Sequence, residues 1–310
     1  MNFKLGKLPF KEDHRDLKLK DYIDTTVLPT PPESTNDYTT FTDWNMFLND
    51  QLGDCAVAGP LHLLMLWLSQ GGQTPNFTDA NALSTYEAIS GYNPDDPNSD
   101  VGCNLRDVLS YWKNTGIPDA NGKIHKIGAY VLLDQTNHDE IKLGQYIFSG
   151  LNIGFNVPAY AMTQFQDGQI WDVQTKNAEI EGGHCVTPMG YGEVKVLSVT
   201  KEGVWVITWG QAQFMTWAFW DAYVDEAWCI LDIEFLRNGV SPDGFNLTQL
   251  QADLNAITNS PIPTPVPNPV PVPPQPINYQ QIYNNAHTVL YNTVLSASKK
   301  ITALKKLIPK

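Results

Sequence analysis

The stretch "NDQLGDCAVAGPLHLLMLWLSQ", residues 49–70, carries the reading of the fold. Gly53 and Asp54 form a turn signal, and Cys55 then opens an apolar run, "CAVAGPLHLLMLWLSQ", over residues 55–70. A run this apolar on all sides suits a buried helix, with Pro60 expected to kink it or delay its start. A cysteine at the head of such a helix has two readings. It packs as a small hydrophobe, or the helix N-terminus lowers its pKa and makes it a nucleophile. Asp54 beside it opposes the second reading, because a carboxylate facing the thiol disfavours a thiolate.

Working outward, "VGCNLRDVLSYWKNTGI" (101–117) places Leu105, Val108, Leu109 and Trp112 on one face of an amphipathic helix after a Gly turn. From about residue 151 the period changes. "LNIGFNVP", "HCVTPMGYG", "EVKVLSVT" and "GVWVITWG" read as strands separated by Gly and polar turns. Helices first and strands second imply an α+β protein of two facing layers, with a ligand cleft between them.

A thiol nucleophile needs a base. Of the six histidines, His62 lies in the apolar helix and reads as a core residue. His14, His125 and His138 sit in charged, loop-like stretches, and His287 falls near the C-terminus. His184, in "EGGHCVTPMGYG", is the one set for placement: two glycines permit close backbone approach and the following strand fixes the ring's direction. "WVITWGQ" (205–211) then ends a strand in Trp-Gly, and Trp209 there could shield an imidazole from water.

These pieces, in this order and with His184 129 positions after Cys55, resemble the papain-like cysteine peptidases, in particular the papain-fold proteins of bacteriophages and bacteria. The likeness runs over roughly residues 5–245. "KLGKLPFKEDHRDLK" is similar to the arm that opens many such domains, "NDQLGDCAVAG" to the oxyanion-to-nucleophile segment, "GLNIGFNVPAYAMTQFQDGQIW" to the strand and loop before the histidine, and "VITWGQ" to the Asn-Ser-Trp-Gly segment.

The resemblance implies a papain-like fold in which a helical subdomain bearing the nucleophile faces an antiparallel β subdomain. It implies Cys55 as nucleophile and His184 as base, with Asn49 in the oxyanion position and Gln51 as its rival. Gly102, Cys103, Gly183 and Trp209 are expected to border the substrate. The family's orienting Asn aligns with Ile207, which cannot accept an imidazole N–H; Thr208 or Gln211 would have to replace it. The activity implied is thiolate attack on a peptide or isopeptide bond of a polypeptide substrate, with no metal and no cofactor. Two rivals are a non-catalytic papain-fold module of a phage particle and a cell-wall peptide hydrolase.

Composition sets the remaining bounds. The 310-residue chain carries a net charge of −13, which argues against nucleic acid as a partner. No run of about 18 apolar residues suits a membrane span, and the N-terminus lacks the apolar region of a signal peptide. Host cytoplasm or virion is the expected location. The spacings of Cys55, Cys103, Cys185 and Cys229 fit no zinc site, and free thiols are expected over disulfides.

The chain is expected to divide into an extended arm (1–45), a papain-like domain (46–258), a linker (259–276) and a basic helix (277–310). The linker contains "PIPTPVPNPVPVPPQP", a stiff polyproline II run about 50 Å long at ~3.1 Å per residue. The last segment has five lysines and no acid, with apolar residues at helical spacing. It is expected to tether the body to a partner such as a phage structural protein; its many Asn, Gln and Thr residues argue against membrane insertion.

Overall fold

A computed structural model of the chain describes residues 3–21, 30–70 and 72–232. The expected proline-rich linker and C-terminal helix lie outside the described residues. The apolar run forms helix α1 (Cys55–Gln70), and every residue from Cys55 to Leu66 is buried. It starts at Cys55, not beyond Pro60, because the Asp54 carbonyl accepts the first helical bonds, from Val57 N (2.7 Å) and Ala58 N (3.0 Å). Pro60 costs the helix only the donor that would have met the Ala56 carbonyl. His62 is a core residue, its Nε2 lying 3.1 Å from the carbonyl oxygen of Asn45.

Two further helices pack near α1: α2 (Asp79–Ser90) and α3 (Leu105–Asn114). Leu105, Val108, Leu109 and Trp112 of α3 are all buried, as their spacing predicts. A small ribbon of β1 (Ile117–Pro118) and β2 (Ile124–His125) leads into β3 (Ile127–Leu132), then α4 (His138–Phe148), β4 (Leu151–Pro158) and α5 (Ala159–Gln166). The chain closes with β5 (Ile180–Val196), β6 (Val199–Thr208), β7 (Gln211–Thr216), α6 (Trp217–Tyr223) and β8 (Val224–Asp232).

Strands β3 to β8 form one antiparallel six-stranded sheet in the order β3-β8-β4-β5-β6-β7. "LNIGFNVP" is β4 end to end. "EVKVLSVT" (193–200) is not one strand: it straddles the β5–β6 turn, where Leu197 takes a left-handed φ of 56°. The apolar alternation continues across that turn, so periodicity alone could not mark it.

The core has two parts. One gathers α1 with Tyr86, Trp112, Ile207 and Trp228; the other gathers Phe155, Trp171, Trp209, Phe219 and Trp220. This is the α+β arrangement of a helical layer facing an antiparallel sheet. The N-terminal residues are clipped to the helical side by Arg106 of α3, whose Nε donates to Asp16 Oδ1 (2.7 Å) and whose Nη2 donates to the Lys11 carbonyl (2.7 Å). Among the described residues no helix is long and apolar enough to cross a membrane.

Candidate active site

Cys55 is the first residue of α1 and His184 lies on β5, opposite Phe155 of β4. The next residue along β5 joins them: the Cys185 N–H donates to Cys55 Sγ at 3.4 Å. The His184 ring is fully buried, stacked on the Trp209 indole with centroids 4.4 Å apart at 17°, and meets Phe155 edge-on at 5.8 Å. Its Nε2 lies 2.8 Å from Thr208 Oγ1, and its Nδ1 makes no hydrogen bond.

Strand geometry explains why Thr208, not its neighbour, reaches the ring. Successive strand side chains face opposite sides, so Ile207 enters the core around α1 while Thr208 turns toward His184. Gln211, the other expected orienter, is exposed at the start of β7 and makes no bond to the imidazole.

Burial dominates the electrostatics of this closed site. It pushes the Cys55 thiol up to about 11 and the His184 imidazole down to about 3. Both groups are therefore neutral near pH 7. Asp54, expected to set a negative charge beside the thiol, is fully buried, and its desolvation raises the carboxyl well above the ordinary range. Desolvation thus favours the uncharged form of Asp54, and whatever charge it carries adds to the rise of the Cys55 thiol.

Asn49 is buried, and its Nδ2 donates to Asp54 Oδ1 (3.2 Å) and to the Leu52 carbonyl (3.4 Å). Both amide hydrogens are thus engaged in the closed state. Gln51 is exposed. All four cysteines are free thiols, and burial raises the pKa values of Cys103, Cys185 and Cys229.

Gly102, Cys103 and Gly183 are brought together by the chain's own N-terminal residues. Cys103 N donates to the Gly6 carbonyl (2.8 Å), Leu8 N to the Cys103 carbonyl (2.9 Å), and Lys7 N to the Gly183 carbonyl (3.0 Å). Residues 6–8 therefore run extended between the helical layer and the sheet, beside Cys55 and His184. Gly102 makes this approach feasible: at φ +81° it has no Cβ to collide with the Gly6 carbonyl. Trp209 stacks on His184 and, on the N-terminal residues, on Phe3 (4.6 Å, 21°).

Several residues that shape this groove escape a reading of the sequence. Asp100 accepts from Gly53 N (3.0 Å) and from Tyr86 Oη (2.7 Å), and Tyr86 Oη in turn accepts from Gly102 N (2.9 Å). This chain of bonds holds the turn before Cys55 against the turn that meets the arm. Lys7 is buried with its Nζ on Asp225 and Glu226. No motif marks these groups, since their partners are far apart in sequence.

The architecture is that of the papain-like cysteine peptidases. No protein-family model matches the sequence, and no curated protein does. Solved structures do. Xylellain, a cysteine protease from Xylella fastidiosa, is 16% identical with a TM-score of 0.57, over 75% of this chain and 97% of that one. The cysteine protease and lectin-like domains of Cwp84, a surface layer associated protein of Clostridium difficile, are 13% identical with a TM-score of 0.52. That match takes in 74% of this chain and 55% of the other. At such identities the likeness defines the fold; the site must argue the chemistry.

Proposed function

We propose that this chain is a cysteine-dependent peptidase of phage or bacterial origin, with Cys55 and His184 as its catalytic pair. The observation that carries the reading is the state of His184: Nε2 on Thr208 Oγ1 at 2.8 Å, Nδ1 without a hydrogen bond, and the Cys55 sulfur touching the next residue of the same strand. If Thr208 accepts the Nε2 proton, Nδ1 presents a lone pair and can serve as the base.

A polypeptide substrate must first take the place of residues 6–8. Cys55 Sγ passes its proton to His184 Nδ1 and attacks the carbonyl carbon, forming a tetrahedral oxyanion. The Cys55 backbone N–H supplies one donor to that oxygen. Asn49 Nδ2 supplies a second once it leaves Asp54; such a donor is typically worth about 10²–10³ in rate. Collapse breaks the C–N bond as Nδ1–H protonates the leaving amine. Water, deprotonated by the same nitrogen, then hydrolyses the thioester.

Labelling of the full chain by a peptidyl epoxide tests this. Cys55→Ala is expected to abolish labelling, and equal labelling of that variant refutes the assignment. The non-catalytic reading draws on one observation, the engagement of both Asn49 hydrogens by Asp54 and Leu52. Haloacetamide labelling at pH 6 on displacement of the arm separates the two: an activated thiol reacts there and a structural one does not.

A further inference from the structure

Lys7 crosses the groove with its side chain fully buried. Its Nζ lies 2.5 Å from both Asp225 carboxylate oxygens and 3.3 Å from Glu226 Oε1. Glu226 is itself fully buried, its Oε2 accepting from Trp228 Nε1 at 2.7 Å, and Asn156 Nδ2 donates to Asp225 Oδ2 at 3.4 Å. The lysine stem reaches this floor across Gly154 of β4, where any Cβ would overlap Lys7 Cε. The backbone of the same residue bonds Gly183, the neighbour of His184, so the pocket serves whichever residue of an extended chain crosses that point.

We propose that Asp225, Glu226 and Gly154 form a specificity pocket for a lysine or arginine side chain of the polypeptide substrate, occupied by Lys7 in the closed chain. The proposal rests on the peptidase reading. It explains why two carboxylates converge on one buried ammonium: an apolar side chain in the same place would leave both without a counter-charge, at high cost. Sites built to pair a polar group reject the analogue lacking it far more strongly than apolar pockets discriminate by size. The pocket belongs to β4 and β8 and does not depend on the direction in which the occupying strand runs.

The test uses the full-length Lys7→Ala chain, with Lys7→Met as a second variant that keeps more of the stem's packing. Peptidyl epoxides carrying lysine or its uncharged isostere norleucine at each of the three residues nearest the reactive carbon are compared. The expected result is labelling at least ~10² faster with lysine at one of these positions. Neutralising the floor (Asp225→Asn with Glu226→Gln) should reduce that preference to within about threefold, and Gly154→Ala should exclude both side chains.

In a Cys55→Ser, Lys7→Ala chain, calorimetry with the matching peptide amides reads the pocket without any reaction; the lysine peptide should bind at least tenfold tighter. Equal labelling and equal binding, or a preference that survives the neutralised floor, overturns the pocket. Retained binding preference with no alkylation of Cys55 by any epoxide overturns the peptidase reading and leaves the pocket standing.

Discussion

Thr208 gives His184 a different hold from the carboxamide oxygen that the family pattern places nearby. A carboxamide oxygen only accepts, and so locks the proton on Nε2, whereas a hydroxyl accepts or donates and tolerates either tautomer. Removing it with Thr208→Val is expected to lower kcat about 10²-fold with little change in KM, while Thr208→Ser retains most of the rate. Steady-state hydrolysis of a peptide substrate measures both; equal loss in the Ser variant would show that shape, not the hydroxyl, matters.

Burial of His184 also has a thermodynamic sign. Its folded value, about 3, lies below the unfolded value near 6.5, so the unfolded chain binds the extra proton between them. Stability supplied by the neutral ring is present above pH 6.5 and drains as pH falls. His62, lowered to about 4, pulls the same way, while Asp54 and Glu226, both raised by burial, pull the opposite way. Comparing with His184→Gln isolates the one ring. Between about pH 5.5 and 4 the native chain should lose about 1.4 kcal/mol per pH unit more than the variant, read from denaturant unfolding. Parallel slopes would place the imidazole in water.

At the scale of elements, the arm and the groove set each other's accessibility. Arg106 holds Asp16 and the Lys11 carbonyl, Gly6 and Leu8 flank Cys103, and Lys7 sits on Gly183. While they stay, the Cys55 thiol titrates near 11, so haloacetamide alkylation should be slow at pH 7 and climb about tenfold per pH unit toward that value. Arg106→Ala removes a charge-assisted clip worth about 1–2 kcal/mol, and should speed alkylation at pH 7 roughly tenfold. Stopped-flow labelling checks this, and an unchanged rate would mean that the arm opens independently of α3. The helices that frame the groove were legible beforehand: α3 follows its apolar stripe, and α1 follows its continuous run. The β5–β6 turn was not, because an exposed Leu197 at the tip mimics an interior strand position.

At the scale of the molecule, the described residues hold two core clusters and a six-stranded sheet whose strands pair with one another. A chain ending after residue 260 is therefore expected to keep a single cooperative melting transition, within about 2–4 °C of the full chain. Differential scanning calorimetry decides it; loss of cooperativity on that truncation would make the C-terminal part a structural member of the fold.

The amino-acid sequence alone marked α1, α3 and β4 as helix and strand, and singled out Cys55 and His184 as the residues proposed to work together. Those properties follow from local periodicity, turn chemistry and the order of short motifs. Tertiary contacts alone brought Thr208 rather than Gln211 to the imidazole, buried Asp54 so that its carboxyl is raised, tied Asn49 to it, and carried Lys7 to Asp225 and Glu226, more than two hundred positions away. Side-chain direction and desolvation depend on which surfaces come together in space, and one-dimensional spacing carries no record of that.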